Sequence, residues 1–340
     1  MVLERHTIGS NVRVSPLGFG GAAIGNLYTQ VSEDDALGAL EAAFEQGIRY
    51  FDTAPFYGHG LSEERMGRVF AGRPRDRFVV STKVGRLVSR EPSRRDTRAR
   101  GDVFAVEGSC AVFDYSREGV QRSFEASLKR LGVTRIDILF LHDIGRLTHG
   151  ERHAEVLRLA LEEALPAMAQ LRATGAVGAL GIGVNEQEVC LEVMPRFDLD
   201  CIMLAGRYTL LEQRNSAELM ADAQARGVPV LVAGAYNSGL LGPARAPGAT
   251  YNYTPVDAVT LERARNLYAQ CALEGVDVGA AALQFPLAHP SVAGVVAGQR
   301  TREEVLSSVA RMKAPIPGRL WERLKRTGLL SADALVPGAV

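Results

Sequence analysis

Ile48-Arg-Tyr-Phe-Asp-Thr-Ala-Pro-Phe-Tyr-Gly58 opens as an apolar, strand-like run, sets a carboxylate (Asp52) where that run ends, and places a phenol (Tyr57) five residues later. Two later stretches follow the same plan. Phe78-Val-Val-Ser-Thr-Lys-Val84 carries Lys83 near its end, and Ile136-Asp-Ile-Leu-Phe-Leu-His-Asp143 carries His142. Three successive strands of buried character, each finishing on an ionisable residue, call for a fold that brings strand ends together.

Working outward, apolar runs of strand length recur at residues 17–21, 177–184, 201–205, 230–234 and 292–297. Helical periodicity separates them. Ser32-Glu-Asp-Asp35 reads as an S-x-x-D helix start, Leu37, Leu40 and Phe44 share one face, and Gly47 stops the helix. A second helix is expected from Ser62, and another from Ser116 with Val120, Phe124, Leu128 and Leu131 in a stripe. Further helices are expected over 153–174, 186–193, 212–226, 257–275 and 279–288, and from Thr301. Strands buried on both faces read as continuous apolar runs, and short connections make them parallel. Eight such units predict a (β/α)8 barrel spanning one domain, residues 1–340. An open doubly wound sheet is the alternative, but no GxGxxG follows the first strand. An N-terminal β-hairpin is expected over 6–15, a long insertion without clear period over 85–114, and a C-terminal loop over 312–340.

Composition narrows the class. The chain has 340 residues, 46% apolar and 23% charged, with a formal net charge of zero, so neither nucleic acid nor a membrane surface is indicated as partner. Five arginines between Arg90 and Arg100 are diluted by acidic neighbours and read as a solvated loop. Cys110, Cys190, Cys201 and Cys271 are widely spaced, and no metal-ligand pattern of Cys and His is visible. No apolar run reaches signal-peptide or membrane-spanning character. The expectation is a cytoplasmic enzyme, monomeric or a small homo-oligomer, acting on a small molecule and holding no metal.

In a barrel of this type catalytic groups come from the C-terminal strand ends. Asp52, Lys83 and His142 end strands two, three and four, with Tyr57 on the loop above, so they converge at one rim. A free phenol, with a pKa of about 10, is a poor acid at neutral pH. A lysine ammonium lowers that value, a carboxylate holds the lysine charged, and an imidazole orients a substrate oxygen or relays a proton. The result is a tyrosine that gives a proton to a carbonyl or takes one from an alcohol. Hydride transfer, which no side chain performs, then implies a nicotinamide cofactor.

Asp-Thr-Ala-x-x-Tyr-Gly, Ser-Thr-Lys and Leu-His-Asp resemble the signatures of the aldo-keto reductase superfamily, and the likeness runs from about Leu17 to Val309. The resemblance implies the same barrel, a catalytic tetrad at Asp52, Tyr57, Lys83 and His142, and NADPH or NADH bound over the strand ends. Phe113-Asp-Tyr-Ser, Ala205-Gly-Arg-Tyr and Tyr236-Asn-Ser-Gly-Leu-Leu241 resemble a narrower branch, that of the L-fucose and D-threo-aldose 1-dehydrogenases and pyridoxal 4-dehydrogenase. That branch implies oxidation of a cyclic hemiacetal to a lactone with Tyr57 as base.

The cofactor contacts implied by the resemblance are Gly21 and Asp52, Asn185 for the carboxamide, and Asn237, Ser238, Gly239 and Leu240 over the pyrophosphate. Gly298, Arg300, Thr301 and Glu304 complete them at the adenosine end. Val184, Ala205 and Ala233 stand where many relatives have Ser, Gln and a stacking Tyr, and Ser308 replaces an adenine-contacting Asn. Arg300 can grip a 2'-phosphate or line the ribose, and Thr301 with Glu304 can cap a helix or touch the cofactor, so NAD and NADP both stay open, with the branch leaning to NAD. Phe19, Phe56, His59, Arg207 and Tyr208 are expected along the substrate wall, and Trp321 either in a substrate loop or capping the barrel base. Rival readings are an NADPH-dependent reductase of small aldehydes, a nicotinamide-binding regulatory subunit and a metal-dependent barrel hydrolase.

Overall fold

Eight strands hydrogen-bond in parallel around a closed barrel. They are β1 (Leu17–Gly20), β2 (Tyr50–Asp52), β3 (Val79–Val84), β4 (Ile136–His142), β5 (Val177–Val184), β6 (Cys201–Ala205), β7 (Val230–Ala233) and β8 (Val292–Gly298). The computed structural model describes residues 6–94, 103–242, 250–251 and 254–338. Closure runs through β8 against β1, with Gly298 opposite Gly20. At the site end Gly20 pairs with Asp52, Asp52 with Ser81, Lys83 with Phe140, and His142 with Gly183.

Side chains alternate across each strand, and that parity decides what reaches the site. Tyr50, Ile138, Phe140, Ala179, Met203, Leu231 and Val296 fill the barrel interior, while Ile8, Val12 and Val14 of the N-terminal hairpin (His6–Ile8 against Val12–Val14) extend the same core. Phe19, Phe51, Val80, Val84, Leu139 and Leu141 belong instead to the larger core between barrel and helices. Counting by two from Tyr50 and from Phe140 puts Asp52 and His142 on the interior side, and counting back from Val84 by one gives Lys83 the same side.

The helical layer follows the expected capping chemistry. Ser32, Ser116, Asp257 and Thr301 each cap a helix through the side-chain oxygen. Three expectations are corrected. Residues 153–174 are not one regular helix: His153–Leu159 and Leu165–Ala173 are joined by a wide π turn at Ala160–Ala164. Pro166 lies two residues past that turn, and a proline deletes the N–H that a regular helix needs there. The 85–114 insertion is not wholly irregular, because its ends pair as an antiparallel ladder of Arg86–Ser89 with Cys110–Phe113; residues 95–102 lie outside the described residues. The C-terminal segment, expected as a loop over 312–340, contains a helix at Gly318–Arg326 that buries Leu320, Trp321 and Leu324. Arg319 and Arg323 on that helix both ion-pair with Glu274.

Trp321 packs near Phe285, ring centroids 6.4 Å apart, in the outer layer. It is 1% exposed, so its removal leaves a large cavity. Trp321→Ala should cost about 3–5 kcal/mol of folding free energy, read as a lower denaturant midpoint at unchanged slope. A loss below about 1 kcal/mol would mean that the C-terminal helix is not docked on the barrel.

Candidate functional site

The Tyr57 loop is positioned by backbone-on-backbone packing. A Cβ on Gly25 would lie 2.7 Å from the Tyr57 carbonyl carbon, and one on Gly58 would lie 2.5 Å from the Gly25 oxygen. Gly58, His59 and Gly60 all take positive φ (66°, 51° and 96°), which turns the chain sharply after Tyr57 and starts the helix Leu61–Phe70. His59 Nδ1 lies 2.9 Å from the Ser109 hydroxyl, tying this loop to the insertion.

Beneath Tyr57 lies a buried ion pair. Lys83 Nζ donates to Asp52 Oδ1 and Oδ2 (2.9 and 2.8 Å) and to the Thr53 carbonyl (2.9 Å), so its three N–H bonds are all used. Ser81 Oγ donates to Asp52 Oδ1 at 2.7 Å, and the Tyr50 hydroxyl sits 3.0 Å from Ser81 Oγ. Burial pushes the Asp52 carboxyl up from its ordinary value, against Lys83 and Ser81, which hold it down. Lys83 Nζ lies 4.7 Å from the Tyr57 ring centroid.

The expected lowering of the phenol by Lys83 is not what this geometry produces. Burial raises Tyr57 well above the usual phenol value, the Asp52 and Asp143 carboxylates raise it further, and Arg86 opposes them. The reason is that Lys83 is in direct contact with Asp52, so the pair presents little net positive field to the ring. Tyr57 is therefore a protonated phenol at neutral pH. His142 stands 6.0 Å from Tyr57, ring to ring and edge-on. Burial takes it well below the usual imidazole range, so it is neutral, and its Nδ1 is buried with no hydrogen-bond partner.

A cleft of about 650 Å³, counting the solvent at its mouth, opens on these groups. Tyr57, Lys83 and His142 line it, with Asn185, Ala205 and Ala233 from the ends of β5, β6 and β7. Its apolar walls are Leu27, Phe56, Val103, Phe104 and Met203. Phe104 meets Phe56 edge-on at 4.9 Å and Tyr57 at 5.8 Å. The insertion is strapped there by Tyr28 N–H to the Val103 carbonyl (2.9 Å) and Ala105 N–H to the Asn26 carbonyl (3.0 Å).

The expected substrate wall divides. Phe56 lines the cleft, whereas Phe19 faces the helical layer against Phe51, because parity sends it outward. Tyr208 is stacked on Phe285 in the outer core, and neither His59 nor Arg207 lines the cleft. Two lining residues that sequence reading passed over are Arg86 and Asp143. Arg86 Nη2 donates to Asp143 Oδ2 at 2.5 Å, and Asp143 Oδ2 lies 3.6 Å from His142 Nε2. Asp143 immediately follows His142 in the quoted strand, so adjacency was the available signal.

The remaining cofactor-type residues lie along the rim. Gly21 is held at β2 by its N–H to the Asp52 carbonyl (2.7 Å), and Asn185 Nδ2 donates to the Ala205 carbonyl (3.2 Å). After β7 the backbone N–H groups of Asn237, Gly239 and Leu240 bond the Gly234, Tyr236 and Asn237 carbonyls within the turn. The Asn237 side chain is different: both amide atoms are buried without a partner. Gln299, between Gly298 and Arg300 at the end of β8, is fully buried with both amide atoms likewise unpartnered. A buried amide in that state calls for a partner, an ordered water or a bound group. Arg300 is bound to Glu304 (Nη2 to Oε1, 2.8 Å), and Thr301 Oγ1 accepts from Glu304 N–H (3.4 Å) as a helix cap. Among the described residues no cluster of His, Cys, Asp and Glu is arranged to hold a metal, and no helix is long and apolar enough to cross a membrane.

Residues 16–327 match the model of the Aldo/keto reductase family. The chain is 38% identical over 337 residues to a pyridoxal 4-dehydrogenase of Microbacterium luteolum, covering 96% of this chain and 98% of that protein. It is 38% identical over 324 residues to a D-threo-aldose 1-dehydrogenase of a Pseudomonas species, covering 94% and 96%. Among solved structures, the holo form of an aldo-keto reductase from Bacillus halodurans superposes with a TM-score of 0.74 at 26% identity, over 98% of both chains.

Asp52→Asn leaves the Lys83 ammonium buried without a counter-charge and should cost about 3–5 kcal/mol of stability, measured by urea unfolding. Adding Lys83→Met should recover most of that loss. If the single variant unfolds like wild type, the pair is not the buried contact described above.

Proposed function

Since the chain belongs to the aldo/keto reductase family and is an NAD(P)-dependent oxidoreductase, we propose that it oxidises the C1 hydroxyl of a cyclic hemiacetal, an aldose or a pyridoxal-like ring, to the lactone. The observation that carries this reading is the cleft lined by Tyr57, neutral His142 and Lys83, the last held by Asp52. Two relatives whose names describe such dehydrogenases support the substrate class.

A bound nicotinamide would supply the acceptor for the hydride that leaves C1. Asn185, which lines the cleft, and Asn237 and Gln299, which follow β7 and β8, would hold the cofactor, and the orphaned amides of Asn237 and Gln299 fit that role. Tyr57 Oη, as phenolate, takes the C1 hydroxyl proton while the C1–O bond becomes a carbonyl. His142, neutral, orients that oxygen. The Lys83–Asp52 pair fixes the floor on which Tyr57 rests. In the reverse direction the protonated phenol donates to a carbonyl oxygen, so one tyrosine serves both directions and pH selects between them. The four free, buried cysteines support placing the enzyme in a reducing compartment such as the cytoplasm.

Cofactor choice follows from Arg300. Its guanidinium is already neutralised by Glu304, so a 2'-phosphate arriving there meets a carboxylate, whereas a ribose hydroxyl finds an acceptor. NAD is the preferred cofactor on this reading. Fluorescence titration should show NADH binding at least tenfold tighter than NADPH, and Glu304→Gln should narrow that gap. Tighter binding of NADPH to wild type would reverse the assignment.

Tyr57→Phe should abolish turnover while leaving NADH affinity within a few-fold. The 340 nm assay with L-fucose, D-arabinose, L-galactose and pyridoxal decides the substrate. Because Tyr57 titrates well above pH 10, the phenolate fraction, and with it the oxidation rate, should climb about tenfold per pH unit through the neutral range. Carbonyl reduction should stay flat over that range. An oxidation rate that falls between pH 7 and 9 would remove Tyr57 as the base.

A further inference from the structure

The cleft holds a second buried ion pair that the hydride-transfer chemistry does not require. We propose that Arg86 and Asp143 form a hydroxyl-recognition subsite, which holds the ring hydroxyls of a polyhydroxylated substrate beside the carbon that loses hydride. The proposal rests on the hemiacetal reading above and names the feature of the substrate that the cleft selects.

Both residues line the cleft together with Tyr57 and His142, and their side chains are only 6% and 11% exposed. Arg86 is held flat. Its guanidinium carbon lies 3.7 Å from the Phe56 ring centroid and 4.5 Å from that of Phe113, so two rings pack against it and leave its N–H edges to donate. One edge binds Asp143 Oδ2. Nε–H, on the same edge as Nη2, is buried with no partner. An orphaned charged donor is costly unless something polar reaches it, and the cleft is the route by which a ligand can.

Asp143 is equally fixed. It takes φ +49°, a left-handed conformation that non-glycine residues adopt at a cost. Tyr115 Oη lies 2.8 Å from the His142 carbonyl oxygen and 3.0 Å from that of Asp143, and donates to this pair of acceptors. His149 Nε2 lies 2.9 Å from the Asp143 oxygen. The same Nε2 lies 3.0 Å from the Tyr115 hydroxyl, and burial keeps His149 neutral by taking its pKa down to about 4. Tyr115 and His149 thus hold the backbone that aims both His142 and Asp143.

The rest of the wall is apolar. A simple aliphatic aldehyde is satisfied by it, and gains nothing from a guanidinium and a carboxylate. A ring bearing vicinal hydroxyls supplies acceptors to Arg86 and donors to Asp143. Sites built to bond a hydroxyl discriminate strongly against analogues that lack it, because the site's own polar groups are then left unsatisfied.

The test compares L-fucose with 2-hydroxytetrahydropyran, a cyclic hemiacetal that has the reacting carbon and no other hydroxyl. Wild type should favour the sugar by about 10²-fold in kcat/KM. Arg86→Met/Asp143→Asn removes both charges at once, and Asn tolerates the left-handed backbone, so the variant avoids a lone buried charge. In it the ratio should collapse toward one. Independently of turnover, calorimetric affinity for 1,5-anhydro-L-fucitol, which has the hydroxyls but no oxidisable C1, should weaken at least tenfold. Parallel loss on both substrates, or an unchanged ratio, would show the pair to be a structural clip between β3 and β4 and overturn the proposal. The two readings separate cleanly: wild type that oxidises neither ring yet binds the anhydro sugar through this pair refutes the hemiacetal reaction and keeps the subsite, whereas wild type that does not bind it removes the subsite.

Discussion

The contact between Lys83 and Asp52 governs the site end of the barrel. An ammonium and a carboxylate, each about 2% exposed, are taken out of water together, and that is tolerable only because every hydrogen on the nitrogen has an oxygen waiting. The oxygens come from the last residue of β2 and the first residue after it, and the nitrogen from β3. Ser81 and Tyr50 extend the bonded chain down into the barrel. The parallel register that sets Asp52 opposite Ser81 is what puts the carboxylate within reach of Lys83 one pleat further on. A shift of one residue would turn Asp52 outward and Phe51 inward.

Around that contact the charges near Tyr57 are arranged in two pairs. Lys83 and Asp52 lie below, while Arg86 and Asp143 face the cleft. Each pair is nearly neutral as seen from a distance. The phenol near them consequently feels burial more than any single charge and keeps its proton. His142 is subject to the same burial and stays neutral. A neutral donor and a neutral imidazole beside two fixed dipoles suit a reaction in which one proton moves while a hydride leaves elsewhere.

Much of the architecture was legible because it follows from local rules. The eight strands are short apolar runs, and the caps at Ser32, Ser116 and Thr301 are where side-chain oxygens can bond free N–H groups. What escaped was nonlocal or balanced. The helix Gly318–Arg326 is rich in Arg and Lys, and it is docked by three apolar residues and by Glu274, which lies more than forty residues earlier in the chain. The wide turn before Pro166 adds a single residue to the helical ladder, too small a change for the apolar period to announce. The ladder within the insertion pairs residues more than twenty apart, which no local pattern announces.

At the site, sequence alone determined which residue types end strands two, three and four, and hence that Asp52, Lys83 and His142 meet at one rim. Parallel strands of known order leave them no other place. Tertiary structure decided the rest. It spent all the hydrogens of Lys83 on Asp52 and Thr53, so that the phenol is raised and not lowered. It turned Phe19 outward by strand parity and brought Phe104 over Tyr57 through a strap to residues 26–28. It also set Arg86 against two rings and against Asp143, and left Asn237 and Gln299 buried with amides unmatched. Each of these depends on distances between segments far apart in the chain, and a linear pattern of residue types carries no measure of them.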